Sequence, residues 1–250
     1  METTPPAGGD VPALLLIADI SGFTRFMRLH ALATSHARQI VARLLRTLVA
    51  EARPPLRVAE LEGDAVFFYA PAPGGDLPAV AAAVKPQILH LFRVFQREVE
   101  ALARVKACVC GACTSVADLR LKQVAHCGAV GLERIDRFDK LFGFDVIVVH
   151  RMLKNSVPAR EYLMLSDPAY AACADFYALA PEHRTEAFEG VGEVGAVVFY
   201  DASLAGAVAA LPEAPPPEPP AQTLRWKLRM HGRTLRALLG WGPPADRLPV

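Results

Sequence analysis

The hydrophobic pattern of this chain changes between short apolar runs and stretches with helical periodicity. The run Ala13–Ile20 is almost entirely aliphatic and ends at Ser21–Gly22, which predicts a buried strand followed by a turn. Apolar residues recur at helical spacing in Phe23–Leu29 and again in Ser35–Ala52. The pair Pro54–Pro55 ends the second of these predicted helices, because proline cannot continue a helix.

Two β-rich runs follow, Leu56–Leu61 and Ala65–Ala70, and the short segment Glu62–Gly63–Asp64 joins them. A glycine in so short a connection is typical of a β-hairpin. The next periodic stretch, Ala79–Val105, predicts a long helix with a kink at Pro86. The remaining predicted elements are a strand at Leu121–Val130, a strand at Ile135–Phe142, a helix at Gly143–Leu153, a strand at Tyr162–Ser166, a short helix near Pro168–Phe176 and a strand at Gly195–Tyr200.

This order of elements places strands both in hairpins and between helices. It predicts an α+β fold in which a mixed, mainly antiparallel sheet carries helices on one face, rather than a doubly wound parallel sheet. The sequence contains no GxxxxGK[ST] motif, so a P-loop for phosphate binding is not predicted.

Shifts in composition divide the chain into a folded body and a tail. We expect residues 1–10 to be disordered and residues 11–205 to form one domain, with a cysteine-rich insertion at about 106–120. Residues 206–222 then form a proline-rich linker, residues 223–241 a basic amphipathic helix, and residues 242–250 a flexible end. The helix is predicted to fold back onto the net-negative body, with docking on an anionic membrane surface or on a protein partner as the alternative.

The overall composition is that of a globular protein. Of the 250 residues, 52% are hydrophobic and 21% are charged, which excludes wholesale disorder. The formal net charge of +1 provides no field that would recruit nucleic acid, so no nucleic-acid partner is predicted. The five cysteines do not suggest a secreted disulfide scaffold, and we predict neither a signal peptide nor a membrane span. The expected location is therefore the cytoplasm.

Two acidic residues occupy positions where a carboxylate is costly without a partner. Asp19 lies at the end of the first apolar run, and Asp64 lies at the tip of the predicted hairpin. If the hairpin pairs with the first strand, both carboxylates reach one edge of the sheet and offer oxygen ligands to Mg²⁺ with bound phosphates. The alternative is that Asp19 caps the following helix and that Asp64 is an ordinary turn residue.

A cluster of cysteines, formed by Cys108, Cys110 and Cys113, precedes the strand that carries His126. Three thiolates with a histidine are a sufficient ligand set for a structural Zn²⁺ ion. The spacing leaves two alternatives open, namely reduced thiols at a tight turn around Gly111 and a redox disulfide.

Four segments together resemble the motifs of class III nucleotide cyclases. They are ADISGFTRFM, GDAVFFYA, LKQVAHCGAV and RFDKLFGFDVIVVHRMLKN. The third is similar to the strand motif R-x-G-I-H-x-G, with His126 and Gly128 in register, and the fourth to the segment in which a glycine opens a helix carrying a catalytic Asn and Arg. The likeness extends over about residues 13–200. More narrowly, the chain resembles a bacterial family of uncharacterised, adenylate-cyclase-like proteins with a domain of unknown function.

The resemblance implies a ferredoxin-like cyclase domain that acts as a head-to-tail homodimer with its sites at the interface. It implies that Mg²⁺ or Mn²⁺ ions bind Asp19, Asp64 and the backbone carbonyl of Ile20, and that Phe23 and Thr24 contact the substrate. In that family the ribose 3′-hydroxyl of a nucleoside triphosphate attacks the α-phosphorus and expels pyrophosphate. The implied function is therefore the formation of a cyclic purine nucleotide for signalling.

The chain departs from the family pattern at the residues for the ribose and the base. Ile147 stands where the catalytic Asn is expected, whereas Arg151 matches the catalytic Arg. Glu60 and Lys140 stand at the two base-selecting positions, and Glu60 would favour guanine by accepting from its N1–H and exocyclic amine. Because the metal half of the site matches and the other half is altered, the alternative function is a catalytically impaired pseudo-cyclase that binds nucleotides or proteins.

Overall fold

A computed structural model describes residues 9–29, 34–104 and 114–212 of the chain, together with residues 228 and 232. The first eight residues and the three clustered cysteines lie outside this part. The same holds for everything after residue 212 apart from the two isolated positions. The predictions of a disordered N-terminus and of a C-terminal helix therefore fall almost entirely on residues that the structure does not describe, and the predicted linker 206–222 does so from residue 213 onwards.

Eight strands and six helices lie within the described ranges, and every element that the sequence predicts between residues 13 and 200 coincides with one of them. The strands are β1 (Val11–Ser21), β2 (Arg57–Glu62), β3 (Ala65–Pro71), β4 (Arg120–Ile135), β5 (Phe138–Phe142), β6 (Tyr162–Ser166), β7 (Glu182–Phe188) and β8 (Gly192–Tyr200). The helices are α1 (Phe23–Leu29), α2 (Thr34–Glu51), α3 (Leu77–Arg104), α4 (Phe144–Met152), α5 (Asp167–Cys173) and α6 (Asp201–Ala209). None of the helices in these ranges combines the length and the apolar composition needed to cross a lipid bilayer.

One sheet contains all eight strands, in the order β2-β3-β1-β4-β6-β8-β7, with β5 paired to β4 beside this path. β1 lies between β3 and β4 and runs antiparallel to both. Among the described strands, β4 and β6 form the one parallel pair. The predicted α+β fold with a mixed, mainly antiparallel sheet is thereby confirmed.

The alternation of side chains along β1 divides the hydrophobic residues between two cores. Leu14 and Leu16 face the larger core, which also contains buried residues of α1, α2, α3, α5 and α6. Leu15 and Ile17 face a smaller core on the other side of the sheet. Among the described helices, α4 alone contributes buried residues to this second core. Of the six described helices, five thus pack on one face of the sheet and one, α4, packs on the other.

Two glycines allow α4 to approach the sheet closely at β4. Gly143 precedes the helix with a φ of +141°, and a Cβ at this position would lie 2.9 Å from the carbonyl oxygen of Ala129. Gly128 leaves room for the side chain of Asp145, whose Cγ would lie 2.0 Å from a Cβ at residue 128. Asp145 accepts a hydrogen bond from the backbone N–H of Ala129 at 2.7 Å and places a negative charge in the first turn of α4. These contacts fix the start of α4 on β4.

Two elements near the end of the domain, β7 and α6, are missing from the sequence prediction. Along β7 the positions that face the protein are Arg184, Glu186 and Phe188, so no apolar alternation marks the strand. Arg184 instead donates to Glu186 at 3.1 Å, which neutralises both charges. α6 consists mainly of small residues and ends at Ala209, beyond the predicted domain boundary at residue 205.

The segment GVGEVG at residues 190–195 has the GxGxxG spacing of dinucleotide-binding turns. In the structure it forms the turn between the antiparallel strands β7 and β8 and the first residues of β8. A dinucleotide site needs these glycines to lead from a strand into a helix whose N-terminus faces the phosphates. The match therefore indicates no such site in this chain.

Replacing Gly128 by alanine should destabilise the domain, because the added methyl group would overlap Asp145 and force α4 away from β4. We expect the free energy of unfolding to fall by about 2 kcal/mol or more. Gly206→Ala is the matched control, since Gly206 is an exposed position of α6 with nothing within 4 Å of an added Cβ. That substitution should raise the free energy of unfolding by about 0.5 kcal/mol. Urea unfolding followed by circular dichroism measures both, and a Gly128→Ala variant as stable as the wild type would contradict this account.

Candidate functional site

Asp19 and Asp64 meet where β1 ends beside the turn between β2 and β3. Asp19 is close to the end of β1, and Asp64 directly precedes β3. Because Asp19 pairs with Ala65 across the sheet, the hairpin brings the preceding residue next to it. The backbone N–H of Ile20 donates to the carbonyl oxygen of Asp64 at 3.2 Å, which ties the turn to β1. The structure thus brings together the three residues that the resemblance assigns to the metal site.

The two carboxylates influence each other electrostatically. The pKa of Asp64 is raised from 3.8 to about 6, first because the carboxyl group is partly buried and second because of the negative charge of Asp19. The positive charge of Lys122 acts in the opposite direction and lowers this pKa. Such an effect requires the two acids to lie close together. The pair therefore carries negative charge that a cation would neutralise.

Lys122 is a member of this site that the sequence analysis did not identify. Its Nζ lies 3.0 Å from Oδ2 of Asp19, and the two side chains are 21% and 15% exposed. The antiparallel pairing of β1 with β4 places the two residues opposite each other. A signal for this residue was present in the sequence, because Lys122 precedes His126 by four positions, where the motif R-x-G-I-H-x-G has its arginine.

The donors at this site suit a small, hard divalent ion. Proteins typically hold Mg²⁺ by one or two carboxylates, while water and substrate phosphates complete its octahedron. Asp19, Asp64 and the carbonyl group of Ile20 offer oxygen atoms alone. Within the described ranges, no three His, Cys, Asp or Glu side chains form a group that could hold a metal ion. An ion bound to the two carboxylates would therefore need further ligands from a bound substrate and from water.

A cavity of about 200 Å³ lies between the β2–β3 hairpin, β5 and α4. At its wall, Lys140 of β5 donates a hydrogen bond to Glu60 of β2, and these are the two residues that the resemblance assigns to base selection. His150 of α4 donates to Glu62 of β2 at 2.8 Å. The structure thus places a Lys–Glu pair and a His–Glu pair around the same cavity. The sequence analysis predicted the two residues of the Lys–Glu pair.

Both ring nitrogens of His150 contact hydrogen-bond acceptors. Nδ1 lies 2.6 Å from the carbonyl oxygen of Val146, and Nε2 lies 2.8 Å and 3.1 Å from the two carboxylate oxygens of Glu62. A neutral imidazole has one N–H group, so in that form the ring donates to either Val146 or Glu62. The ring also packs edge-on against Phe67, with 4.9 Å between the centroids. His150 therefore fastens α4 to the hairpin that carries Asp64.

Ile147 and Arg151 lie one turn apart on the same side of α4. Ile147 is 50% exposed and has no polar atom in its side chain, so it offers no hydrogen bond to a ribose. Arg151 is half-buried near the end of the helix. The two residues assigned to substrate contact at the other end of the site begin α1, where Phe23 packs against the larger core and Thr24 is exposed.

His126 lies in β4 and is 6% exposed. Its Nδ1 lies 2.8 Å from Oγ of Ser166, and its Nε2 donates to Asp145 at 2.9 Å. Because Ser166 is fully buried, this Ser–His–Asp arrangement connects β4 to α4 and α5 and is not accessible for nucleophilic catalysis. The three clustered cysteines lie outside the described residues, so the zinc site stays a prediction, in which His126 would take part only by giving up one of these contacts.

Comparison with known proteins gives one curated relative and one family model. The model, described as a protein of unknown function (DUF2652), matches residues 41–162. The relative is "Uncharacterized protein Rv2561/Rv2562" from Mycobacterium tuberculosis, which is 36% identical over 153 residues. That alignment covers 61% of this chain and 69% of the relative.

Solved structures with similar folds include the guanylate cyclase domain of RhGC from Catenaria anguillulae in complex with GTP. Its TM-score is 0.55 at 16% identity, and the match covers 77% of this chain and 97% of that domain. A second is a class III adenylyl cyclase-like ATP-binding protein from Pseudomonas aeruginosa, with a TM-score of 0.53 at 19% identity. That match covers 65% of this chain and 35% of the other protein, so the two share one domain. At these identities the comparison establishes the class III cyclase fold.

Replacing Asp64 by asparagine should stabilise the metal-free protein at neutral pH. The pKa of Asp64 in the folded protein, about 6, lies above its ordinary value of 3.8, so the contribution of this residue to stability is lost as the pH rises through 6. Asp64→Asn should therefore exceed the wild type in unfolding free energy at pH 7.5, by about 1 kcal/mol once solvent screening of a half-buried group is included. At pH 4 the difference should disappear.

Asp139→Asn is the matched control for this prediction, because the Asp139 side chain is 62% exposed and lies 3.9 Å from its nearest basic group. Urea unfolding in the presence of EDTA, at pH 7.5 and at pH 4, measures both variants. An Asp64→Asn variant that is less stable than the wild type at pH 7.5 would contradict the electrostatic description of the site.

Proposed function

We propose that this chain, which belongs to the same family as the Mycobacterium tuberculosis protein Rv2561/Rv2562 and has the class III nucleotide cyclase fold, forms a cyclic purine nucleotide from a nucleoside triphosphate. The observation that carries the proposal is the convergence of Asp19 and Asp64 at the end of β1. Alternation along β1 puts Asp19 on the side of Leu15 and Ile17, where α4 is the one described helix that contributes buried residues, and the proposed approach of the triphosphate is from that side.

In the proposed reaction, the 3′-hydroxyl group loses its proton to water and its oxygen bonds to the α-phosphorus, while the bond from that phosphorus to the bridging oxygen breaks and pyrophosphate leaves. Asp19, Asp64 and the carbonyl of Ile20 would hold Mg²⁺ or Mn²⁺, which supplies charge neutralisation at the phosphates when bound. The protein contributes positioning, since backbone pairing fixes both carboxylates. Arg151 is proposed to offset the charge that develops on the α-phosphate.

Glu60 and Lys140 are proposed to contact the base, with Phe23 and Thr24 nearer the phosphates. The ion pair offers a hydrogen-bond acceptor and a donor side by side at the cavity wall. Guanine presents O6 beside N1–H, and adenine presents its amino group beside N1, so either purine can match such a pair. Both side chains are 44% exposed, so opening the pair to admit a base costs little.

A surface rich in exposed apolar side chains supports assembly with a second copy of the chain. The surface comprises residues of β2, of the β4–β5 hairpin and of α4: Val58, Leu61, Ile135, Phe138, Phe142, Phe144 and Ile147. Exposed apolar groups in such number typically mark an interface. Because this surface borders the cavity and α4, we propose a head-to-tail homodimer whose contact completes the site.

A nucleotide-binding pseudo-cyclase is the second candidate, and Ile147 is the observation that favours it. The residue cannot form the hydrogen bond that orients the ribose, and loss of one transition-state hydrogen bond typically lowers the rate by about 10²–10³. The Pseudomonas aeruginosa protein of this fold is described as an ATP-binding protein, which supports nucleotide binding as a function of such domains.

Mass spectrometry of purified protein incubated with Mn²⁺ and either ATP or GTP distinguishes the two candidates. The cyclase proposal expects a cyclic product with the wild type and none with Asp19→Ala. A bound triphosphate without any cyclic product would support the pseudo-cyclase. If neither triphosphate bound, both candidates would be wrong.

Restoring a polar side chain at residue 147 should increase activity. We expect Ile147→Asn to form cyclic product about 10- to 100-fold faster than the wild type, because asparagine can hydrogen-bond the ribose. The position is 50% exposed, so the change should leave stability almost unaltered. Ile135→Asn, at a position that is 55% exposed, is the matched control and should bring no gain. Equal rates for Ile147→Asn and the wild type would mean that residue 147 does not reach the ribose.

A further inference from the structure

We propose that Lys122 is an internal cation that competes with the divalent metal ion for Asp19, so that the metal binds well only when phosphates are present to receive the displaced ammonium group. This inference rests on the proposed function, because it concerns a metal at Asp19 and Asp64. It adds Lys122 as a residue that weakens metal binding when no nucleotide is bound.

The contact between Lys122 and Asp19 is part of the sheet rather than an incidental surface pair. The two residues lie opposite each other in the antiparallel pairing of β1 and β4, and Nζ lies 3.0 Å from Oδ2. At 21% and 15% exposure, both charged groups have lost most of their water. A carboxylate in such a position requires a cation, and the lysine supplies one in the metal-free protein.

The ammonium group of Lys122 also lies near the second acid of the site. Burial raises the pKa of Asp64 to about 6, and the charge of Lys122 acts in the opposite direction. Burial also raises the pKa of the hydroxyl of Tyr162, the residue of β6 that pairs with Lys122, and the lysine again opposes the shift. The charge of Lys122 thus acts on both acids of the proposed metal site.

Two cations cannot share this space without a large cost. A Mg²⁺ ion binds its oxygen ligands at about 2.0–2.1 Å, which would leave it a few ångströms from an ammonium group that stays on Asp19. Repulsion between charges at such a distance is several times larger in a partly buried site than in water. The ammonium group must therefore withdraw before the metal binds at full strength, and it then needs another anion.

A bound triphosphate provides such an anion beside the metal. Once the lysine can pair with a phosphate oxygen, its departure from Asp19 no longer leaves a buried charge without a partner. Metal and nucleotide should then strengthen each other's binding, and the effect must be reciprocal. The lysine would thereby keep the carboxylates from retaining a divalent ion in the absence of substrate.

The test is the affinity of the full-length chain for Mn²⁺ alone, measured by electron paramagnetic resonance of the free ion. The variants are Lys122→Met and Lys122→Gln, with Lys154→Met as the matched control, because it removes the ammonium group of an exposed lysine to which no role in the site is assigned. Lys122→Met and Lys122→Gln should each bind Mn²⁺ at least about tenfold more tightly than the wild type, because a nearby positive charge is gone. Lys154→Met should bind it with wild-type affinity.

A second measurement uses a nucleoside triphosphate that lacks the 3′-hydroxyl and so cannot cyclise. This compound should increase the Mn²⁺ affinity of the wild type by a larger factor than it increases the affinity of the Lys122 variants. Both factors are corrected for the Mn²⁺ that the free nucleotide binds. Thermal unfolding in EDTA checks that each variant is folded, and Lys122→Gln keeps a hydrogen-bond donor for Asp19 in case Lys122→Met is unstable.

Two adverse results have different meanings. If adding Asp64→Asn abolishes Mn²⁺ binding but the Lys122 variants bind Mn²⁺ no more tightly than the wild type, the metal site stands and the competition by Lys122 is wrong. If Mn²⁺ binding is insensitive to Asp64→Asn in every background, the metal site of the proposed function is wrong, and the inference fails with it.

Discussion

The antiparallel pairing of β1 with both β3 and β4 is the constraint on which the rest of the site depends. Six successive residues of this strand, Ala13–Ala18, are at most 1% exposed, so hydrophobic contacts on both faces hold it in place. Its two neighbours then set Ala65 and Lys122 opposite Asp19. Backbone hydrogen bonds therefore set the positions from which the side chains of the acids and the lysine extend.

The uneven covering of the sheet explains why the charged groups collect on one side. The larger core occupies the face under five helices, where a charge would be buried without solvent. On the other face α4 reaches the sheet through the small residue Gly128 and is fastened to the hairpin by His150 and Glu62. These contacts hold α4 beside the cavity. Walls that are already held in place favour a binding site, because little of the protein has to be ordered when a ligand arrives.

Much of the fold could be predicted from the sequence because its signals are local. The aliphatic run of β1, the glycine-containing turn before Asp64 and the periodicity of α3 each specify an element without reference to the rest of the chain. β7 could not be found this way, since Arg184 and Glu186 occupy inward positions that are ordinarily apolar and neutralise each other only after folding. α6 is too short and too rich in small residues to give a periodic signal.

The candidate site was predictable to the extent that motifs mark single residues. Sequence motifs identified four of its residues, Asp19, Asp64, Glu60 and Lys140. Only the structure shows that Glu60 and Lys140 form a hydrogen-bonded pair. His150 was missed because its partner Glu62 is 88 residues away, and only the docking of α4 brings the two together. No local pattern carries that information, since it depends on where a helix lies relative to a hairpin.

One feature of β1 has an evolutionary consequence. Its odd- and even-numbered side chains face opposite sides of the sheet. Inserting or deleting a single residue between Ala13 and Asp19 would therefore move the side chains beyond that point to the other side. The aliphatic residues would tolerate the exchange, whereas the carboxylate would turn into the helix-covered interior, away from the hairpin turn. A change in the length of the strand by one position would therefore remove the acid from the site and also destabilise the protein, since a carboxylate without a partner is costly in the interior.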